Sequence, residues 1–247
     1  MSRKKISQPD MKILWGRSGS KCAICKTDLI QEKKEGSGYP IGEMAHIEDE
    51  NPTSTRYNHE MMDDERNKYD NLILLCPKCH TIIDKDYQEY TVEKLKQMKK
   101  DHEKWVEESL KKHMPNITFA ELEVIIKHLM GIPTLENGDY VTIVPPKEKI
   151  EKNDLSPEVE NYITIGMLKV KQVRDYLNKN PDIHFAERLR AGFVNKYREL
   201  RKEGLEGDAL FYALLDFASN SSPDFKYMTA GLSVLTYFFE LCEVFEE

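Results

Sequence analysis

Two C-x-x-C pairs of identical spacing, "CAIC" (Cys22, Cys25) and "CPKC" (Cys76, Cys79), constrain this chain more than any other feature. Each pair offers two sulfurs to one ion, and two such knuckles close a four-sulfur site of the kind that holds structural zinc. The segment between them must then fold as a closed loop around that ion. In a reducing compartment, paired C-x-x-C motifs favour metal over disulfide. A redox C-x-x-C pair is the weaker alternative, because no βαβ pattern lies between the motifs. Cys22, Cys25, Cys76 and Cys79 are therefore expected to bind Zn²⁺ for structure, with no open position for catalytic water. The fifth cysteine, Cys242, lies far from them and reads as a packed core thiol.

The second pair belongs to a denser stretch, "NLILLCPKCHTIID", residues 71–84. His80 and Asp84 are four residues apart, so on a helix they share one face and can bind a second ion. His46 lies upstream in "MAHI", which reads as a short strand, and Asn71 precedes the strand "LILL". Strand with His, long loop, Asn, strand, then helix with His describes a ββα unit around one ion. An imidazole can take a proton from water near neutral pH. A site of one imidazole and oxygen ligands suits Mg²⁺ or Mn²⁺ better than zinc.

"GEMAHI", "NKYDNLILLCPKCHTIID" and the flanking cysteine pairs together resemble the HNH endonuclease family in its zinc-stapled form, over about residues 8–113. The resemblance implies a metal-dependent DNA endonuclease. His46 would be the general base, Asn71 the residue that orients it, His80 the ligand of the catalytic divalent metal and Asp84 a second ligand on the same helix. One departure stands out: many family members carry Asp or His immediately before the base, and here that place is Ala45. Glu43, Asp49 and a backbone carbonyl remain as replacements. The departure also keeps open a non-catalytic zinc-ribbon module that binds DNA or protein. Arg56, Arg66, Lys68, Lys78 and Lys85 are candidates for DNA backbone contacts, and His59 reads as a solvated loop residue.

Periodicity and caps place helices over 8–16, 91–113 and 118–131, the last opening with Thr118 and Glu121 as a capping box and stopping at Gly131. "YVTIVPPKEK" reads as an extended linker. Further helices are expected over 157–179, 185–202, 206–219 and 227–246. The organisation expected is α+β: a nuclease-like domain over 1–113, a connecting region with one helix over 114–155, and an all-helical domain over 156–247. Residues 1–113 hold 21 Lys+Arg against 21 Asp+Glu, so the whole net charge of −7 falls on the remainder. A DNA-contacting surface thus belongs in the first part, because phosphates would be repelled by the second.

The last helix is apolar on nearly all sides, so it must be buried in its own domain or in a partner. The segment 156–247, ending "YFFELCEVFEE", resembles the C-terminal domain of effector subunits in three-component ABC-type defence systems of the Lamassu-type group. That resemblance implies docking on an SMC-like ABC ATPase and a small middle component, with self-association into a homo-oligomer on activation. No window approaches eighteen consecutive apolar residues and no signal-type segment opens the chain. A cytoplasmic protein without a membrane span is expected.

Overall fold

The computed structural model describes residues 5–31, 38–130, 146–182, 184–241 and 244–245. Cys242, Gly131 and the first part of the expected linker, residues 140–145, lie outside the described residues. The chain divides into two compact units, Met1–Glu108 and Ser109–Glu247.

Unit 1 opens with α1 (Gln8–Arg17), whose N-cap Ser7 hydroxyl accepts from the Asp10 N–H and whose first turn carries Pro9. Two short strands, β1 (Ile30–Gln31) and β2 (Tyr39–Pro40), pair antiparallel. Next come β3 (Glu43–His46), the helical turn α2 (Asp63–Arg66), β4 (Leu72–Leu75), α3 (Pro77–Lys85) and the long α4 (Val92–His113). β3 and β4 pair antiparallel, with Glu43 opposite Leu75 and His46 opposite Leu72. The expected order of strand, long loop, strand and helix is therefore present. β4 is buried on both faces, which is why it reads as four consecutive apolar residues rather than an alternating pattern. Around it Leu14, Leu29, Ala45, Ile47, Ile83 and Leu95 complete the core.

The loop from 47 to 71 is long and polar, so its backbone needs partners. Asn71, Arg56 and Arg66 supply them. The Asn71 side chain donates to Glu48 O and Arg66 O and accepts from the Glu48 N–H, each at 2.9 Å. Arg66 donates to the carbonyls of Asp49, Asn58 and Met61, and Arg56 to that of Ile83.

Unit 2 is helical among its described residues: α5 (Phe119–Met130), α6 (Pro146–Lys152), α7 (Pro157–Met167), α8 (Val170–Asn178), α9 (Phe185–Lys202), α10 (Gly207–Ala218) and α11 (Phe225–Leu241). α11 is the central helix, packed by α5, α7, α8 and α10. Its apolar circumference is explained by burial within its own unit. Gly166 lets α7 approach it closely, since a Cβ there would lie 2.1 Å from Thr236 Oγ1.

Two sequence expectations need correction here. Residues 146–149, read as extended, begin α6. Pro146 opens the helix, and Lys149, fully buried, donates to Phe239 O at 2.8 Å, so a tertiary contact decides the conformation. The single helix expected over 157–179 is two helices. They part at Leu168 and Lys169, where Lys169 Nζ turns to donate to Pro115 O and Ile117 O, both at 3.3 Å.

Candidate metal centre and surrounding site

The four cysteines converge. Their sulfurs all lie within 4.8 Å of one another, the one group of three or more such ligands among the described residues. A tetrahedral zinc site with Zn–S near 2.3 Å spaces its sulfurs by about 3.8 Å. Cys25 Sγ and Cys76 Sγ are 3.7 Å apart. The donor set thus fits a metal ion such as zinc. The first knuckle turns through Lys26, which adopts a positive φ of 63° and returns its N–H to Cys22 O at 2.9 Å. Ala23 N–H donates to Leu74 O at 2.9 Å, hanging the knuckle on the strand that leads to the second pair. Cys76 caps α3, its sulfur accepting from the Cys79 N–H at 3.4 Å. A helix N-terminus favours a thiolate there.

The electrostatics of the thiols suit a cation. Burial, followed by mutual contact between the sulfurs, pushes Cys79 well up, and burial raises Cys22. At Cys25 burial also raises the thiol, but hydrogen bonding by Thr27 and by the neighbouring cysteines outweighs it and brings the group down to about 6. Four thiolates this close repel one another unless a cation neutralises them, which is the electrostatic reason such a cluster binds metal.

The second constellation is more open. His46, at the end of β3, has Nε2 2.8 Å from Asn67 Oδ1 and 3.9 Å from Glu50 Oε1. Asn71 does not orient the ring through its amide, because both of its N–H groups go to backbone carbonyls. It acts one step away, by stapling the loop next to His46, and its own carbonyl accepts from the Ile47 N–H at 2.8 Å. Asn67, which sequence reading missed, holds the ring. Nothing in its local sequence distinguishes it from other loop asparagines.

On α3, His80 Nε2 lies 3.5 Å from Asp84 Oδ2, and His80 Nδ1 contacts the carboxylate of Glu43 from β3. Asp84 also pairs with Arg56 at 3.2 Å, and Arg56 in turn reaches Asp49 at 3.5 Å. A cleft of about 210 Å³ beside this pair is lined by Asp49, Asn51, Ser54, Thr55, Arg56, Asp84 and Tyr87. Arg56 and Arg66 are buried and committed to the loop, so neither is a free backbone-binding cation; Lys78 and Lys85 are exposed. His59 is exposed and sits edge-on to Tyr57.

The fold and the cysteine site define an α+β chain whose first unit carries four converging cysteines able to hold a metal ion and whose second unit is helical. The family model for C-terminal domain 10 of the ABC-three component (ABC-3C) systems matches residues 120–246. That is just over half of the chain, and the chain belongs to this family. Membership makes it a candidate antiphage defence component and implies partner components in a multi-subunit complex. The match begins at α5, so α5 and α11, which pack together, fall in one family domain. No curated protein matches the chain. Among the described residues, no helix is long and apolar enough to cross a membrane.

Proposed function

We propose that the chain is a metal-dependent HNH-type DNA endonuclease, the effector subunit of a Lamassu-type three-component defence complex. The observation that carries this reading is the arrangement of unit 1. A sulfur site ties the segment after α1 to the β4–α3 junction of a β3–β4–α3 unit, with an imidazole on the first strand and an imidazole–carboxylate pair on one face of the helix.

His46 is the general base. With its Nε2–H donated to Asn67, the lone pair is on Nδ1, ready to take a proton from water. Asn71 keeps the loop, and with it the strand end, in place. His80 Nε2 and Asp84 are the protein ligands for Mg²⁺ or Mn²⁺, ions that commonly take few protein donors and complete their shells with water and phosphate oxygens. When bound, that ion supplies charge stabilisation at the scissile phosphate. Lys78 and Lys85, exposed on α3, are the lysines this reading assigns to the DNA backbone. Unit 2 docks on the SMC-like ABC ATPase and the small middle component, which restrain the nuclease until activation and self-association.

The test is cutting of supercoiled plasmid by the purified chain, alone and with its partners, in Mg²⁺ or Mn²⁺. His46→Ala is expected to abolish nicking while leaving the melting profile unchanged; full activity in that variant would sink the proposal. Loss of ABC ATPase co-purification on truncation at about residue 155 tests the docking role, and unchanged co-purification refutes it.

A second reading, a non-catalytic zinc module that binds DNA or protein, draws on Ala45 and on the Arg56 guanidinium already paired with Asp84. It expects DNA or partner binding that survives removal of loosely held divalent ions, with no cleavage under any condition.

A further inference from the structure

Neutral imidazole has one N–H donor and one lone pair, and which nitrogen carries which is set by the partner of the other. At His80 the two nitrogens meet two different carboxylates. Nδ1 faces Glu43, which comes from β3 across the sheet-to-helix contact; Nε2 faces Asp84, one turn along α3. Of the two, only Glu43 is in hydrogen-bond contact with the ring, Asp84 lying 3.5 Å off, so the Glu43 carboxylate, which only accepts, draws the proton to Nδ1 and leaves the lone pair on Nε2, toward Asp84. Glu43 is itself held by register. It pairs with Leu75, the residue before Cys76, so the same strand pairing that seats the second knuckle sets the reach from Glu43 to the helix.

We infer that Glu43 is a positioning residue that fixes the tautomer and ring orientation of His80, so that Nε2 and Asp84 present a preformed two-donor site to a divalent cation. Glu43 is not itself a ligand. The inference rests on the metal-site reading of His80 and Asp84 given above. Carboxylates in this outer position raise the basicity of the ligand imidazole and restrict its rotation, and losing one typically costs about 10–100-fold in metal affinity.

The experiment titrates Mn²⁺ into the full zinc-loaded chain, following free Mn²⁺ by electron paramagnetic resonance. Wild type, His80→Ala, Glu43→Ala and Glu43→Gln are compared, with zinc content and melting measured for each. His80→Ala is expected to lose the site. Glu43→Ala is expected to weaken it about 10–100-fold. Glu43→Gln is expected to stay within about threefold, because its amide oxygen still accepts from Nδ1–H. Long-range ¹⁵N–¹H spectra of the Mg²⁺ form should show His80 protonated on Nδ1 in wild type and in Glu43→Gln, and lose that signature in Glu43→Ala. Wild-type affinity in Glu43→Ala overturns the inference. So does a Glu43→Gln as weak as Glu43→Ala, which would make the carboxylate charge, not the hydrogen bond, the operative feature. Undiminished binding in His80→Ala overturns instead the underlying metal-site reading.

Discussion

Replacing Cys76 tests the structural role of the four-sulfur site, because that sulfur does two jobs. It is one of four converging thiols, and it caps α3 by accepting from the Cys79 N–H. Structural zinc in sulfur-rich sites contributes roughly 10–16 kcal/mol of apparent folding free energy, so one ligand in four is worth about 2.5–4 kcal/mol. The cap is worth about 1 kcal/mol more. Serine keeps the cap and loses the thiolate, whereas alanine loses both. Cys76→Ala should therefore be about 1 kcal/mol less stable than Cys76→Ser. Cys25 caps no helix, so Cys25→Ala and Cys25→Ser should be alike. Both tryptophans, Trp15 and Trp105, lie in unit 1, so tryptophan fluorescence reports that unit alone. For a unit of about 100 residues, 1 kcal/mol shifts the midpoint by about 4–8 °C, so losing about 2.5–4 kcal/mol lowers the fluorescence transition by at least about 10 °C. The helical transition of unit 2, seen by circular dichroism, should stay where it is. A zinc-free Cys76→Ser chain whose fluorescence midpoint moved by only a degree or two would refute the assignment of this cluster as the structural centre of unit 1.

Three further outcomes are expected. Asn71→Ala removes three hydrogen bonds and strands the Glu48 N–H, Glu48 O and Arg66 O, costing unit 1 about 3 kcal/mol in a urea titration followed by fluorescence; a cost below about 1 kcal/mol would contradict the stapling role. His102 is buried, and burial, helped by the Lys26 charge, lowers its pKa to about 4. Above about pH 6.5 the ring is neutral folded or unfolded, but as pH falls from there toward 4 the unfolded chain takes up a proton that the folded ring refuses. Stability should fall over that window by on the order of 3 kcal/mol, and His102→Gln should flatten the slope when fluorescence-detected stability is measured against pH. Gly166→Ala drives a methyl group into Thr236 on α11 and should lower the circular dichroism transition of unit 2, at a cost of about 1–3 kcal/mol; an unchanged midpoint would show that α7 and α11 can part cheaply.

Much of this protein is local, and what is local is legible in the order of residues. A C-x-x-C turn is one tight loop, and two of them near a shared strand have few ways to avoid each other. An apolar run of four between polar neighbours reads as a short buried strand, and a Pro in the first turn marks the start of the helix that carries His80 and Asp84. The apolar circumference of α11 announced a buried helix, but not whether its own domain or a partner would cover it. Contacts across long separations are different, because no periodicity encodes them. That Asn67 rather than Asn71 meets the His46 ring and that Arg56 and Arg66 are buried inside a polar loop depend on how residues 47–71 close over the sheet, and that Glu43 rather than Asp49 reaches His80 depends on the register of β3 against β4. Lys149 makes the same point in unit 2: a lysine in a charged stretch reads as solvent-facing, and only the carbonyl of Phe239, ninety residues away, draws it into the core.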